Sequence, residues 1–275
     1  VFLPTQEPFD GAAVVAFLAA RAIAGVEDVV DGTYRRTLAL PRGGAILALT
    51  PRRDGVEALL TLDDPRDEPA AVACARALFG LDADPLAVAR GLGADPHLGP
   101  LLALRPGLRV PGVVDGWEIA ARAVLGQQIS VSAARTLAGR ITAALGEPLE
   151  RADGALTHRF PRPHAVVAAP DAAFPMPRSR IRALRELAAA DLPLALPADA
   201  ARLVEVWGIG PWTAGYVALR LGDPDVFLPG DVAVVRALRE RRLAIGDASR
   251  WSPWRSYAVL HLWANLSKPG AVAQA

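Results

Sequence analysis

Several chemistries are scarce or missing in this sequence. Among 275 residues there is one cysteine, Cys74. That excludes a disulfide framework, a cysteine-rich zinc site and a four-cysteine iron–sulfur cluster. Lysine is equally rare: of 30 cationic side chains 29 are arginine, and the single lysine is Lys268. Chemistry that needs an interior lysine amine has no candidate before that position. The apolar stretch Ala12–Ala24 contains Arg21 and follows Glu7 and Asp10, the wrong flank for a secretory signal. It is also too short to span a bilayer. No low-complexity tract and no repeat of fixed period is present. The expectation is a soluble cytoplasmic protein without a membrane partner. The missing initiator Met fits a trimmed chain, an alternative start codon or a piece of a longer protein.

What is present points to a folded chain. Hydrophobic residues make up 52% and charged residues only 21%, which argues against disorder and for one large or two modest domains. The net charge of +1 says little, but its distribution says more. Residues 1–100 carry 9 arginines against 14 acidic residues, a net of −5, and residues 101–275 carry 21 basic against 15 acidic residues, a net of +6. A polyanion would prefer the second part.

The periodicity changes along the chain. Pro8–Gly25 has helical spacing with Asp10 as a cap. Thr33–Leu40, Gly44–Thr50 and Val56–Asp63 read as strands separated by short turns, and such short spacing favours antiparallel pairing. Glu68–Phe79 reads as a helix. From about residue 84 the pattern is almost wholly helical, with the clearest helices at Trp117–Gly126, Val131–Leu145, Arg180–Ala190, Ala198–Val206, Trp212–Leu221, Asp231–Arg241 and Trp254–Leu266. The Pro-rich segment Arg151–Pro177 reads as a long surface connection containing one short helix. The expected fold is α+β, with a small antiparallel-sheet domain at residues 1–88 and a helical body at residues 89–275.

Four clusters could carry chemistry. In Val206–Ala214 a helix runs into Gly208-Ile209-Gly210, and a second begins at Pro211, a residue suited to a first helical turn. Such a turn is either an ordinary helical hairpin or a place where outward N–H groups meet a phosphate. Asp231 follows Pro229-Gly230 and is a natural N-cap for the next helix; the same geometry would hold an anionic carboxylate toward a developing cation. Trp207, Trp212, Tyr216, Trp251, Trp254 and Trp263 lie close together in sequence, and Trp212 and Tyr216 share a helix face. They could be core, or a wall on which a flat, electron-poor ring stacks. In Arg122–Ser130 a helix ends at Gly126, Gln127 and Gln128 protrude, and Ser130 caps the next helix.

These segments in this order resemble the helix–hairpin–helix superfamily of DNA glycosylases, and specifically DNA-3-methyladenine glycosylase II of the AlkA type. The similarity runs through Phe17–Ala22, Arg105–Gly112, Ala123–Ser130, Gly208–Ala218, Asp225–Asp231 and Pro253–Trp263. The resemblance implies that Asp231 is the catalytic aspartate and that the helix–hairpin–helix motif lies at about 198–221. Gly208, Ile209, Gly210 and Thr213 would then hold DNA phosphate, often beside a monovalent cation (Na+ or K+) on backbone carbonyls. Trp212, Tyr216 and Trp263 would line the pocket for a flipped base. Gln127 would assist there, and Gln128 would enter the minor groove. Gln128 stands where the family typically has a leucine, Gly230 where it often has a second acid, Val232 where an aromatic is common, and Trp207 where proline is usual.

The implied reaction is hydrolysis of the N-glycosidic bond of alkylated bases in double-stranded DNA, by a monomer needing no cofactor beyond that ion and associated with the nucleoid. Strand-cutting relatives attack the sugar with a lysine early in the second hairpin helix, a position held here by Trp212. A monofunctional enzyme that leaves an abasic site is therefore expected. The alternatives are a non-catalytic damage-binding protein, or the glycosylase part of a fusion with an alkylation-response regulator.

Overall fold

The computed structural model describes residues 1–266; Lys268 lies outside them. The chain begins with β1 (Phe2–Pro4), α1 (Gly11–Ala19), β2 (Glu27–Val30), β3 (Thr33–Ala39), β4 (Gly44–Arg52) and β5 (Gly55–Leu62). These strands form one antiparallel sheet in the order β1-β5-β4-β3-β2. Alternation decides which face is buried, because successive side chains of a strand point to opposite sides. Tyr34, Leu38, Leu47, Leu49, Val56 and Ala58 point inward, and Val14 and Leu18 of α1 cover them. Ala71, Ala75, Leu78 and Phe79 of α2 (Glu68–Phe79) complete that core. Asp10 caps α1 as expected, accepting the Ala13 N–H at 2.9 Å.

The helical part follows as α3 (Pro85–Leu92), α4 (Gly99–Leu104), α5 (Gly116–Leu125) and α6 (Val131–Leu145), then α7 (Pro163–Ala168) and α8 (Arg178–Ala189). It ends with α9 (Pro211–Arg220), α10 (Val232–Glu240) and α11 (Arg255–Ala264). It packs around two cores. One gathers Ile119, Val124, Ile141, Leu184, Leu203 and Val217; the other gathers Leu92, Leu98, Trp251, Val259 and Leu262. α9 serves both, with Ala214 and Val217 in the first core and Leu219 in the second, so one helix lines the seam between them.

Two sequence expectations are corrected. Residues 151–177 are not only a connection: β6 (Glu147–Asp153) and β7 (Leu156–Arg159) form a hairpin ahead of α7. Its largely exposed strand hides the apolar alternation that would have marked it. The hairpin also docks on the first sheet, where the Thr37 hydroxyl donates to the His158 carbonyl at 2.8 Å. The segment expected as a helix at 198–206 is a 3-10 helix, Pro197–Glu205.

β3 carries an anomaly on its inward face. Arg36 shares that face with Tyr34 and Leu38 and is almost fully buried. Its Nη2 donates to Glu118 Oε2 at 2.7 Å, and its Nη1 lies 3.6 Å from Glu27 Oε1. Arg122 closes the square, donating to Glu118 Oε1 at 2.7 Å and to Glu27 Oε2 at 2.9 Å. The Tyr34 hydroxyl donates to Glu27 Oε1 at 2.5 Å, and the Ile23 N–H donates to Oε2 at 2.8 Å. Two carboxylates and two guanidiniums thus compensate each other where the sheet meets α5.

Burial alone would raise the Glu27 carboxyl, but Arg122 and Arg36 outweigh it and hold it at about 2. Because this value lies below the usual 4.5, the carboxylate's stabilising contribution is complete above about pH 4.5 and is lost as pH falls through about 2. Glu27→Gln should flatten that part of the acid limb. It should also destabilise the neutral-pH protein by roughly 3–5 kcal/mol, because Arg36 and Arg122 keep a buried charge without its counterpart. Urea unfolding across pH checks both, and an unchanged acid limb would refute the assignment.

Candidate active site

The hairpin that precedes α9 has one glycine the backbone requires and one it does not. Gly208 has φ +82°, and a Cβ there would lie 2.9 Å from the Ala183 Cβ. Left-handed backbone and close approach both demand glycine. Ile209 is buried in the first helical core and anchors the turn. Gly210 has φ −98° and open space where a Cβ would go, so nothing inside the protein requires glycine there. It is the N-cap of α9 without a side-chain cap, and the N–H groups of Gly210, Trp212 and Thr213 have no acceptor among the described residues. A bare helix N-terminus of this kind attracts an anion.

Asp231 sits at the start of α10 as its N-cap, with Oδ1 accepting the Val234 N–H at 2.9 Å. Two indoles reach the same carboxylate. Trp263 Nε1 donates to Oδ1 at 3.0 Å, and Trp212 Nε1 donates to Oδ2 at 3.2 Å. Three donors from three helices therefore fix the direction of the carboxylate. The loop leading to it is held as well. Arg255 grips Asp225 with bonds of 2.7 and 2.9 Å, and the Ser256 hydroxyl accepts the Val226 N–H at 3.0 Å. Gly215 lets the loop pass close to α9, since a Cβ there would stand 3.0 Å from Leu228 Cδ2.

The carboxylate opens on a cavity of about 430 Å³. One side is aromatic: the rings of Trp212 and Tyr216 are parallel within 5° at 5.6 Å, and Trp263 lies 6.5 Å from Tyr216 at 53°. The inner end is charged, lined by Arg21, Glu27, Glu118 and Arg122. Arg220 ties the two sides together, donating to the Pro111 and Gly112 carbonyls at 2.5 and 2.8 Å and to the Tyr216 hydroxyl at 2.9 Å. Burial alone would raise the Tyr216 hydroxyl, but Arg220 and Arg21 bring it below the ordinary phenol value.

Of the residues singled out in the sequence, Asp231, Trp212, Tyr216 and Trp263 meet at this cavity. Gln127 does not. Its Nε2 donates to the Gly208 carbonyl at 3.0 Å and to the Thr213 hydroxyl at 3.2 Å, which ties the preceding loop to the hairpin instead. Thr213 is buried beneath it, so only its backbone N–H is placed to meet a ligand. The Ile209 N–H is already bonded to the Val206 carbonyl at 3.1 Å. Gln128 stands exposed at the loop tip with φ +58°, in the left-handed region. Arg180 braces this loop through the Gln127 carbonyl at 2.5 Å. Sequence reasoning missed Arg21 and Arg220 at the cavity; only the spacing of Arg220 four residues after Tyr216 hinted at either.

Comparison with known proteins shows what the chain is similar to. The family model of the AlkA N-terminal domain matches residues 1–115. The chain is 44% identical over 282 residues to a Mycobacterium tuberculosis protein named probable bifunctional transcriptional activator/DNA repair enzyme AlkA, covering 97% of this chain and 57% of that one. It therefore spans little more than half the length of that relative. It is 38% identical over 278 residues to DNA-3-methyladenine glycosylase 2 of Escherichia coli, covering 94% of both. Its fold matches the solved 3-methyladenine DNA-glycosylase of Archaeoglobus fulgidus with a TM-score of 0.83 at 22% identity, over 96% of this chain and 97% of that one.

The two hairpin glycines should separate in a stability measurement. Gly208→Ala should cost about 1–3 kcal/mol in denaturant unfolding through backbone strain. Gly210→Ala should stay within about 0.5 kcal/mol of the parent, because the site is open and its φ ordinary. Equal losses would show that Gly210 has a structural role.

Proposed function

This chain belongs to the family of AlkA-type DNA-3-methyladenine glycosylases, and on that premise we propose that it hydrolyses the N-glycosidic bond of alkylated bases flipped out of duplex DNA. The observation that carries the reading is the Asp231 carboxylate, aimed by two indole N–H groups at the rim of an aromatic cavity. The bare N-terminus of α9 lies at the same face, since Trp212 belongs both to that terminus and to the cavity wall.

Each part has a task. A damaged base leaves the stack more readily than a normal one and enters the cavity between Trp212, Tyr216 and Trp263. A ring made cationic by alkylation gains from the aromatic faces, by about 0.5–2 kcal/mol per contact. As the base departs, positive charge grows on the sugar, and a fixed carboxylate stabilises it without reorganisation. The Gly210, Trp212 and Thr213 N–H groups take a DNA phosphate. Gln128, at the exposed tip, fills the gap left by the base in the minor groove. Gln127 supports this step indirectly, by holding the tip against the hairpin.

The hairpin carbonyls are neutral oxygen donors, and no cluster of His, Cys, Asp or Glu suited to a metal lies among the described residues. Such a donor set suits a monovalent cation, Na+ or K+, which when bound would add positive charge beside the phosphate. The Gly208 carbonyl would be shared between that ion and Gln127. No other cofactor belongs to the reading, which is of a cytoplasmic, nucleoid-associated monomer. No helix among the described residues is long and apolar enough to cross a membrane. The bifunctional relative from M. tuberculosis favours a second reading of the whole protein, in which this chain is the glycosylase part of a fusion with a regulator.

No lysine occurs in residues 1–266, so among the described residues the cavity has no lysine amine to form a Schiff base with the sugar. Base release without strand cleavage is the expected outcome, and a covalent protein–DNA adduct trapped by borohydride would contradict it. Asp231→Asn should lower release of 3-methyladenine from methylated duplex by at least roughly 100-fold, with DNA affinity within a few-fold of the parent. Undiminished release would remove Asp231 from the reaction. DNA affinity should also fall as salt rises, since phosphate contacts displace counterions.

A further inference from the structure

The hairpin carries an exposed aromatic that the chemistry above leaves unused. Trp207 directly precedes Gly208 and is 43% exposed. The Arg182 guanidinium lies over its ring, with Cζ 4.3 Å from the centre. Arg182 belongs to α8, which passes close beside the hairpin: the Cβ of Ala183, the next residue of α8, is the atom a Cβ on Gly208 would meet. Its Nε donates to Glu186 Oε1 at 2.7 Å. A guanidinium carries five N–H donors, so four remain on Nη1 and Nη2, and none of them has an acceptor among the described residues. Neither Trp207 nor Arg182 lines the base cavity.

Position gives those donors a partner. The unpaired N–H groups of Gly210, Trp212 and Thr213 begin three residues after Trp207, and three trans peptides span about 11 Å at most. The same helix braces the neighbouring loop, where Arg180 donates to the Gln127 carbonyl at 2.5 Å, beside the exposed Gln128. Arg178, one turn before Arg182 on the same face of α8, is exposed and has no acidic partner among the described residues. Two acids stand nearby, and each faces a cation: Glu186 is bonded by Arg182, and Glu205 lies 3.9 Å from Arg202. The border of the bare α9 terminus is therefore cationic, with one of its guanidiniums already seated on a ring.

We propose that Arg182, held against Trp207, binds a second phosphate of the DNA strand that the hairpin grips, so that the pair acts as a phosphate clamp beside the N-terminus of α9. The inference rests on the proposed function for its partner, duplex DNA. A guanidinium held on a ring and by Glu186 has less freedom to lose on binding, and its two Nη groups offer paired donors to phosphate oxygens. Trp207 carries no charge and is a positioning residue, acting on the phosphate through Arg182. It stands where the resembled family usually has proline, which offers no aromatic face, so the clamp is a property of this chain and not of the hairpin turn as such. Arg178 adds positive charge along the same helix face.

The test is equilibrium binding of the full chain to a fluorescent duplex carrying a stable abasic-site analogue, measured from about 50 to 200 mM salt. Arg182→Gln should weaken binding several-fold at the low end and flatten the slope of log affinity against log salt by about 0.9, the counterions of one phosphate. Arg53→Gln removes the same charge from the exposed turn between β4 and β5 and should leave the slope at the parent value. An unchanged slope in Arg182→Gln, or an equal flattening in Arg53→Gln, overturns the proposal. Trp207→Leu keeps an apolar side chain without the ring and should also weaken binding. Combined with Arg182→Gln it should add less than about 2-fold, and losses that add in full overturn the clamp. Arg182→Lys should keep the slope but recover only part of the affinity, whereas full recovery would overturn the role of the stacked guanidinium. Should Trp207→Leu fail to fold, the two Arg182 variants decide the matter. A parent that binds the duplex but releases no 3-methyladenine overturns the base-release reading alone, since the clamp is read from binding.

Discussion

The molecule depends on four charges buried between the sheet and α5. Glu27 and Arg36 come from the strands, Glu118 and Arg122 from the helix, and each carboxylate touches both guanidiniums. Taking such groups out of water is costly, and the arrangement persists because every charge faces its opposite and the hydrogen bonds are short. Replacing a buried ion set of this kind with well-packed apolar residues is often neutral or stabilising. What an apolar contact would not give is a fixed register between sheet and helix, because it tolerates sliding and a four-way ion network does not. The Arg122–Arg21 bond shows the consequence: Arg122 also holds the Arg21 carbonyl at 2.6 Å, so the residue that reaches the inner cavity is positioned by the network itself.

The same economy of partners recurs at the carboxylate. Trp212 and Trp263 contribute faces to the cavity and N–H edges to Asp231, so the groups that would receive a base also aim the group beside its sugar. α9 joins these roles along one helix, with free N–H groups at its first turn, Trp212 on Asp231, Tyr216 one turn inward and Arg220 at its end. A displacement of α9 would disturb phosphate contact, base stacking and carboxylate geometry together. Its packing in both helical cores resists that displacement. The N-terminal sheet is in this sense a wall of the site, since α1 and the buried network close the cavity from the far side.

Local signals were the legible ones. Strands β3, β4 and β5 were readable within a residue or two, because alternation and short turns are written in neighbouring residues. Asp231 as an N-cap, Ser130 as the cap of α6 and the shared face of Trp212 and Tyr216 were readable for the same reason. β1 and β2 were not, since each is short and its pairing is supplied by strands distant in sequence. The hairpin of β6 and β7 was hidden by its exposure. The Glu118–Arg122 pair could be read as a solvated helix face, because i, i+4 spacing reveals nothing about burial.

The sequence by itself determined the α+β class, the glycine turn, the capping carboxylate and the absence of lysine through residue 266. These follow from composition and from contacts within a few positions of the chain. Only the tertiary structure decided that the indoles of Trp212 and Trp263 converge on one carboxylate from helices on either side of it. It likewise decided that Gln127 clamps the hairpin instead of facing the cavity, and that Arg21 and Tyr216, nearly two hundred residues apart, line one cavity. Such contacts depend on where the packed cores place the helix ends, and no local pattern of residues encodes that.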